Sequence, residues 1–114
     1  IRVGFLFNPA RGVAFVDRPG GGPLVAVAPQ LQSGALRLSV SPGRIDPTST
    51  AWSSSRKPLV GEFTFAGEKL FVIANHFNSK GGDDPLFGRY QPPVRSSETQ
   101  RVAQAAKVGG FVQS

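Results

Sequence analysis

Hydrophobic and polar positions along this chain alternate with a period of two over most of its length and turn helical only near the end. Ile1, Val3, Phe5 and Phe7 recur at every second residue, which predicts a strand with one apolar face over residues 1–7. Asn8-Pro9 stops it, because proline fixes φ and has no N–H for a ladder. Residues 13–16 predict a second short strand, and residues 17–23, with Gly20-Gly21-Gly22 and two prolines, predict a loop. Residues 24–28 are apolar, but Pro29 restricts them to an edge strand or an extended loop. Leu36, Leu38 and Val40 alternate with Arg37 and Ser39, the pattern of a half-buried strand over residues 35–40. Residues 41–55, rich in Pro, Ser, Thr and Gly, predict a long loop of the kind that often carries function.

The second half is more strongly patterned. Leu59, Gly61, Phe63 and Phe65 share one face of a strand over residues 58–66, opposite Val60, Glu62 and Thr64. A short link at Gly67-Glu68 joins it to the apolar run 70–74, so the two are expected to form an antiparallel hairpin. That run is nearly unbroken, which predicts a central strand buried on both faces. Residues 83–93, with three prolines and Gly88, predict a surface loop. Ser97 followed by Gln100 has the spacing of a capping box, and the helix after it places Val102, Ala105, Val108, Gly109 and Val112 near one face. Gly109-Gly110 weakens it by ~1 kcal/mol per glycine relative to Ala, so the helix either ends there or continues to Val112. The expected class is mixed α/β (α+β), mostly antiparallel strands plus a C-terminal helix.

Composition narrows the picture only in part. With 114 residues the chain can hold one small domain. It contains no Met and opens directly on a strand pattern, so residues 1–114 are expected to be part of a longer domain. A formal charge of +6 suits a polyanionic partner such as nucleic acid. The absence of Cys excludes disulfides and thiolate zinc sites. No apolar run approaches the ~20 residues that cross a bilayer, so no membrane partner is expected, and nothing indicates a protein partner.

Candidate chemistry concentrates where the 70–74 strand ends. Asn75, His76, Asn78, Ser79 and Lys80 lie within six positions, followed by Gly81-Gly82, and His76 is the one histidine of the chain. A lone histidine at a strand end is more often structural than catalytic. Amide, hydroxyl and ammonium donors beside an imidazole nevertheless suit a phosphate ester, since each can donate to its oxygens. Period-two alternation places His76 on the face of Leu70, Val72 and Ala74.

The segments SRKPLVGEFTFAGEKLFVIANHFNSKGGDDPLFGRYQPP and RSSETQRVAQAAKVGGFV resemble the endonuclease/exonuclease/phosphatase superfamily, with the nearest likeness to the bacterial extracellular nuclease branch related to deoxyribonuclease I. The likeness is strong from about Arg44 onward, weak over IRVGFLFNP, and absent over residues 12–43. It implies part of a four-layered α/β sandwich that hydrolyses phosphodiester or phosphomonoester bonds with divalent metal, usually magnesium, with manganese or calcium in its place. His76 falls where the superfamily keeps one of two catalytic histidines, the hydrogen-bond donor or acid for developing charge; an imidazole, with an ordinary pKa of ~6.5, takes either protonation state near neutral pH. Arg56 matches an arginine near the nucleic-acid backbone, and Asn75, Asn78, Ser79 and Lys80 lie in the motif as orienting or phosphate-binding residues. Arg89, Arg95 and Arg101 would extend a basic groove. Adjacent Asp83 and Asp84 invite a metal reading, but in the resembling enzymes the metal ligands come from other strands, so none is expected within this chain.

The departures are specific. A Gly-Asp-x-Asn motif, a terminal Asp-His pair and a second histidine are all missing. The expectation is therefore a portion of a metal-dependent nuclease acting on DNA or RNA, whose location the sequence leaves open and the resemblance implies to be extracellular. Two alternatives stay open: a phosphatase or a phospholipid or sugar-phosphate phosphodiesterase of the same superfamily, and a non-catalytic nucleic-acid-binding module.

Overall fold

The computed structural model describes residues 2–114. Its strands are β1 (Val13–Val16), β2 (Pro29–Gln32), β3 (Ala35–Leu38), β4 (Gly43–Arg44), β5 (Leu59–Phe65) and β6 (Glu68–Ala74), followed by one helix, α1 (Ser96–Gln113). The result is an α+β fold in which every strand ladder is antiparallel. β5 lies in the middle. One edge pairs with β6 over its full length, from Leu59↔Ala74 to Phe65↔Glu68, and the other is shared by β1 and β4. The β5–β6 turn is Ala66-Gly67, both with positive φ (50° and 81°), the two-residue geometry that matches strand twist. Ser33-Gly34 repeats that turn in a second hairpin, β2–β3, which forms a separate two-stranded sheet.

Two sequence expectations need correction here. Residues 2–8 form no strand, and Ile1 lies outside the described residues. Both edges of β5 are already paired, so Phe5 and Phe7 lie across the face of the sheet instead, their rings edge-on to Phe63 at 5.3 and 5.4 Å. Phe15 joins them at 5.2 Å from Phe63. Gly61 makes room, since a Cβ there would come within 2.9 Å of the Phe5 ring. Nor is β6 a central strand buried on both sides. It pairs only with β5 among the described residues, and Leu70 and Val72 remain 43% and 42% exposed.

The opposite face carries the core. Val60 packs with Val27, Leu38, Val40 and Ile45, and Phe71, Ile73, Val108 and Phe111 close over them. Within this apolar layer stands Glu62, whose side chain is 1% exposed. Arg18 grips its carboxylate with two nitrogens at 3.0 and 3.1 Å, Lys69 Nζ approaches to 3.1 Å, and the Leu38 amide donates at 3.1 Å. The Glu62 amide in turn donates to Ser41 Oγ at 3.0 Å. Burial resists ionisation, but Arg18, the Leu38 amide and Lys69 outweigh it and hold the carboxyl down at about 2 against an ordinary 4.5.

A depressed carboxyl contributes stability that is fully present above its unfolded value and disappears as pH falls through its folded one. Between about pH 4.5 and 2 the chain is therefore expected to lose ~3 kcal/mol through Glu62. Urea midpoints of the natural sequence and a Glu62→Gln variant across that window check it. Equal pH slopes in the two would contradict the assignment.

α1 runs through Gly109-Gly110 to Gln113. Its packed face differs from the expected one. Ser97 and Gln104 are buried and Gln100, Arg101, Val108 and Phe111 half-buried, whereas Val102 and Val112 are 64% and 67% exposed. Polar partners rather than apolar periodicity orient this helix: Gln100 Nε2 donates to Ala51 O and Ser53 O, and Gln104 Nε2 to Ala51 O, tying α1 to the 3-10 turn Thr50–Trp52.

Candidate phosphate-contacting site

The register of the β5–β6 hairpin sets the geometry. Leu59 faces Ala74 at its open end, so Arg56 enters β5 and His76 leaves β6 at the same end of the sheet. On the other side of Leu59 lies Arg44. With strands ~4.8 Å apart, the Arg44 and Ala74 backbones are separated by roughly 10 Å.

The loop after Ala74 is braced at Asn78 and Ser79. Asn78 donates its backbone N–H to Gln104 Oε1 at 2.8 Å and its side-chain amide to Gln100 Oε1 at 2.6 Å. Ser79 O accepts from Arg101 at 3.2 Å. Because the same two glutamines hold Ala51 and Ser53, the loop that carries His76 and the segment leading to Arg56 are fixed to one another through α1. Gln104 is wholly buried, so its bond to Ala51 O forms out of water, where a lost partner costs ~1–3 kcal/mol. Asn75, His76 and Lys80 are left exposed, and their side chains make no hydrogen bond among the described residues.

Asp83 completes the brace. Its carboxylate accepts from the Ser97 amide at 2.8 Å and from the Ser97 hydroxyl, with Arg101 at 3.8 Å. The Ser97 hydroxyl and amide, followed by Arg101, hold its carboxyl below the usual range. This corrects the expected capping box. The N-cap is Arg95 without a side-chain cap, Ser97 lies inside the helix, and the first-turn N–H is capped by a carboxylate from the preceding loop. Arg101 is thereby engaged by Ser79, Ser97 and Asp83 rather than free in a groove. Arg89 lies apart, in the loop beyond Asp84, beside Tyr90.

Arg56 opens on a different surface feature, a cavity of about 180 Å³ lined by Arg2, Arg44, Ser55, Arg56 and Lys57 among others, with no acidic residue. Arg44 donates to Lys57 O at 2.9 Å and Lys57 to Pro23 O at 3.1 Å, which sets the wall. Arg56 Nε and Ser55 Oγ are buried and without a hydrogen-bond partner. Such orphaned donors are uncommon, and with Arg2, Arg44 and Lys57 lining the same cavity they fit an anion. A larger cavity of about 550 Å³ shares Arg2 and Arg44 with it and is walled by residues 17–23. His76 lines neither, although it stands at the same end of the sheet.

Five of the seven carboxylates are committed: Asp46 to Lys107, Glu62 to Arg18 and Lys69, Asp83 to Ser97, Asp84 to the Val94 amide and Glu98 to Arg95. Among the described residues no group of three or more His, Asp or Glu gathers to hold a metal.

The sequence singles out His76 and Arg56 as candidates, marks Gln100 only as a capping-box residue, and does not point to Gln104 or the Arg2–Arg44 wall. Gln104, a polar residue among alanines, carried the only local hint. No protein-family model, curated protein or solved structure matches the chain.

Proposed function

We propose that this chain supplies the phosphate-contacting part of a nuclease that hydrolyses phosphodiester bonds of DNA or RNA. One observation carries the reading: a rigidly braced loop offers an exposed imidazole at the same sheet end as a cavity ringed by four cations, in which a buried guanidinium nitrogen lacks a partner. Arg2, Arg44, Arg56 and Lys57 attract and hold the phosphate backbone. His76 donates a hydrogen bond or proton to the oxygen on which charge develops, while Asn75 and Lys80 line its approach. Magnesium, implied by the sequence resemblance, finds no ligand set among the described residues, and no step is assigned to it.

Replacing Arg56 with Ala in the natural protein removes one charge-assisted contact worth ~1.5–3 kcal/mol. KM for a DNA or RNA substrate is expected to rise roughly 10- to 100-fold with kcat little changed. An unaltered KM would remove Arg56 from the site. The committed carboxylates favour a second reading, a nucleic-acid-binding module without turnover. Binding that weakens steeply with salt, with no magnesium-dependent cleavage, would establish that reading instead.

A further inference from the structure

Residues 84–94 form a loop whose polarity is inverted. Its neck is closed twice, by the Asp84 amide donating to Val94 O at 2.9 Å and the Val94 amide donating to Asp84 Oδ2 at 2.8 Å. Inside, Gly88 N donates to Pro85 O at 3.1 Å, and Gln91 Nε2 spans Leu86 O and Gly88 O at 3.1 and 3.2 Å. Pro85, Pro92 and Pro93 stiffen the backbone further. With the polar groups turned inward, the apolar ones face water. Phe87 is 94% exposed, and Leu86, Tyr90 and Val94 are 60–65% exposed. An ordered loop that holds large apolar side chains out in water marks an interaction surface rather than a failed core.

The chemistry of the tip selects the partner. Arg89 sits 5.7 Å from the centre of the Tyr90 ring and forms no ion pair among the described residues. Both nearby aspartates are already consumed, Asp84 by the neck and Asp83 by Ser97 and Arg101. Two exposed aromatic rings beside an unneutralised guanidinium suit a polyanion whose flat bases are unpaired and available for stacking. Position agrees: Asp83, adjoining the neck, belongs to the same Ser97–Arg101 clamp that holds Ser79, three residues beyond His76.

We infer that the 84–94 loop is a stacking platform for single-stranded nucleic acid, with Phe87 and Tyr90 receiving bases and Arg89 a flanking phosphate. As a statement about substrate it rests on the phosphodiester reading above, but it is tested by binding alone. Fluorescence anisotropy with a labelled single-stranded DNA oligonucleotide would compare the natural protein with Phe87→Ala and Tyr90→Ala, both substitutions at exposed positions whose folding is checked by circular dichroism. Each loss of a ring is expected to weaken binding about 5- to 150-fold, while an abasic strand of equal length binds the variants and the natural protein alike. Unchanged affinity for the base-bearing strand overturns the proposal, as does an equal loss on the abasic strand. Loss of binding to phosphatidylserine-containing vesicles, with oligonucleotide binding intact, also overturns it and assigns the loop to a lipid surface. Ring-dependent binding without any cleavage would refute the hydrolytic reading alone, whereas cleavage and binding indifferent to both rings would refute the platform alone.

Discussion

Glu62→Ala is expected to lower the unfolding free energy by ~3–5 kcal/mol, the cost of removing one partner from a buried ion pair. The substitution strands Arg18 and Lys69 beside the core and leaves the buried Leu38 amide without its acceptor. It also opens a void in the layer formed by Val60, Leu38 and Phe71. At ~0.05–0.15 kcal/mol per residue a domain of this length has only some 6–17 kcal/mol in total, so the variant forfeits a large share. Denaturant unfolding of both proteins measures it as a lower midpoint at unchanged m. A change under 1 kcal/mol would show that the three groups around the carboxylate contribute little.

That hub also explains why the strand pattern was legible but its sidedness was not. Alternation correctly separated Leu59, Gly61, Phe63 and Phe65 from Val60, Glu62 and Thr64, and the expected hairpin forms, with its turn at Ala66-Gly67, one residue before the expected link at Gly67-Glu68. The greasier set, however, faces a surface only partly covered by Phe5, Phe7 and Phe15, leaving Phe65 47% exposed. The set containing the charge is the core face. A carboxylate reads as solvent-facing until its cations are known, and Arg18 lies 44 residues away in sequence. Residues 2–8 teach the same lesson in another form. Their alternation reports which side chains touch the sheet, with Leu6 fully outward, and not whether the backbone is paired. The Ser33-Gly34 hairpin escaped notice because Pro29 reads as limiting residues 24–28 to an edge strand or extended loop, whereas β2 begins at Pro29 itself, where proline is tolerated.

The candidate site divides along similar lines. A donor-rich loop after an apolar strand is visible locally, and so His76 stands out as a candidate. What fixes that loop is long-range: Gln100 and Gln104 lie 22 and 26 residues beyond Asn78, and their other bonds reach back to residues 51 and 53. The cationic cavity likewise draws Arg2, Arg44 and Arg56 from three separate segments. Helical periodicity misjudged the packing of α1 for the same reason, since glutamine amides reaching for turn carbonyls decide its orientation.

His76→Ala carries the largest expected effect on activity. Because the imidazole is exposed and makes no side-chain hydrogen bond among the described residues, the substitution is expected to leave thermal unfolding unchanged. On the proposed reading of His76 as the acid at the developing oxyanion, its removal is expected to slow hydrolysis by roughly 10²- to 10⁴-fold. A positioning role would instead split the effect toward KM, as expected for Arg56→Ala. The decisive measurement is kcat for cleavage of a nucleic-acid phosphodiester by the natural protein and by His76→Ala at equal folded concentration. A fall of at least 100-fold with unfolding unchanged is the result expected here, and a kcat equal to that of the natural protein would contradict the assignment of His76 to the reacting phosphate.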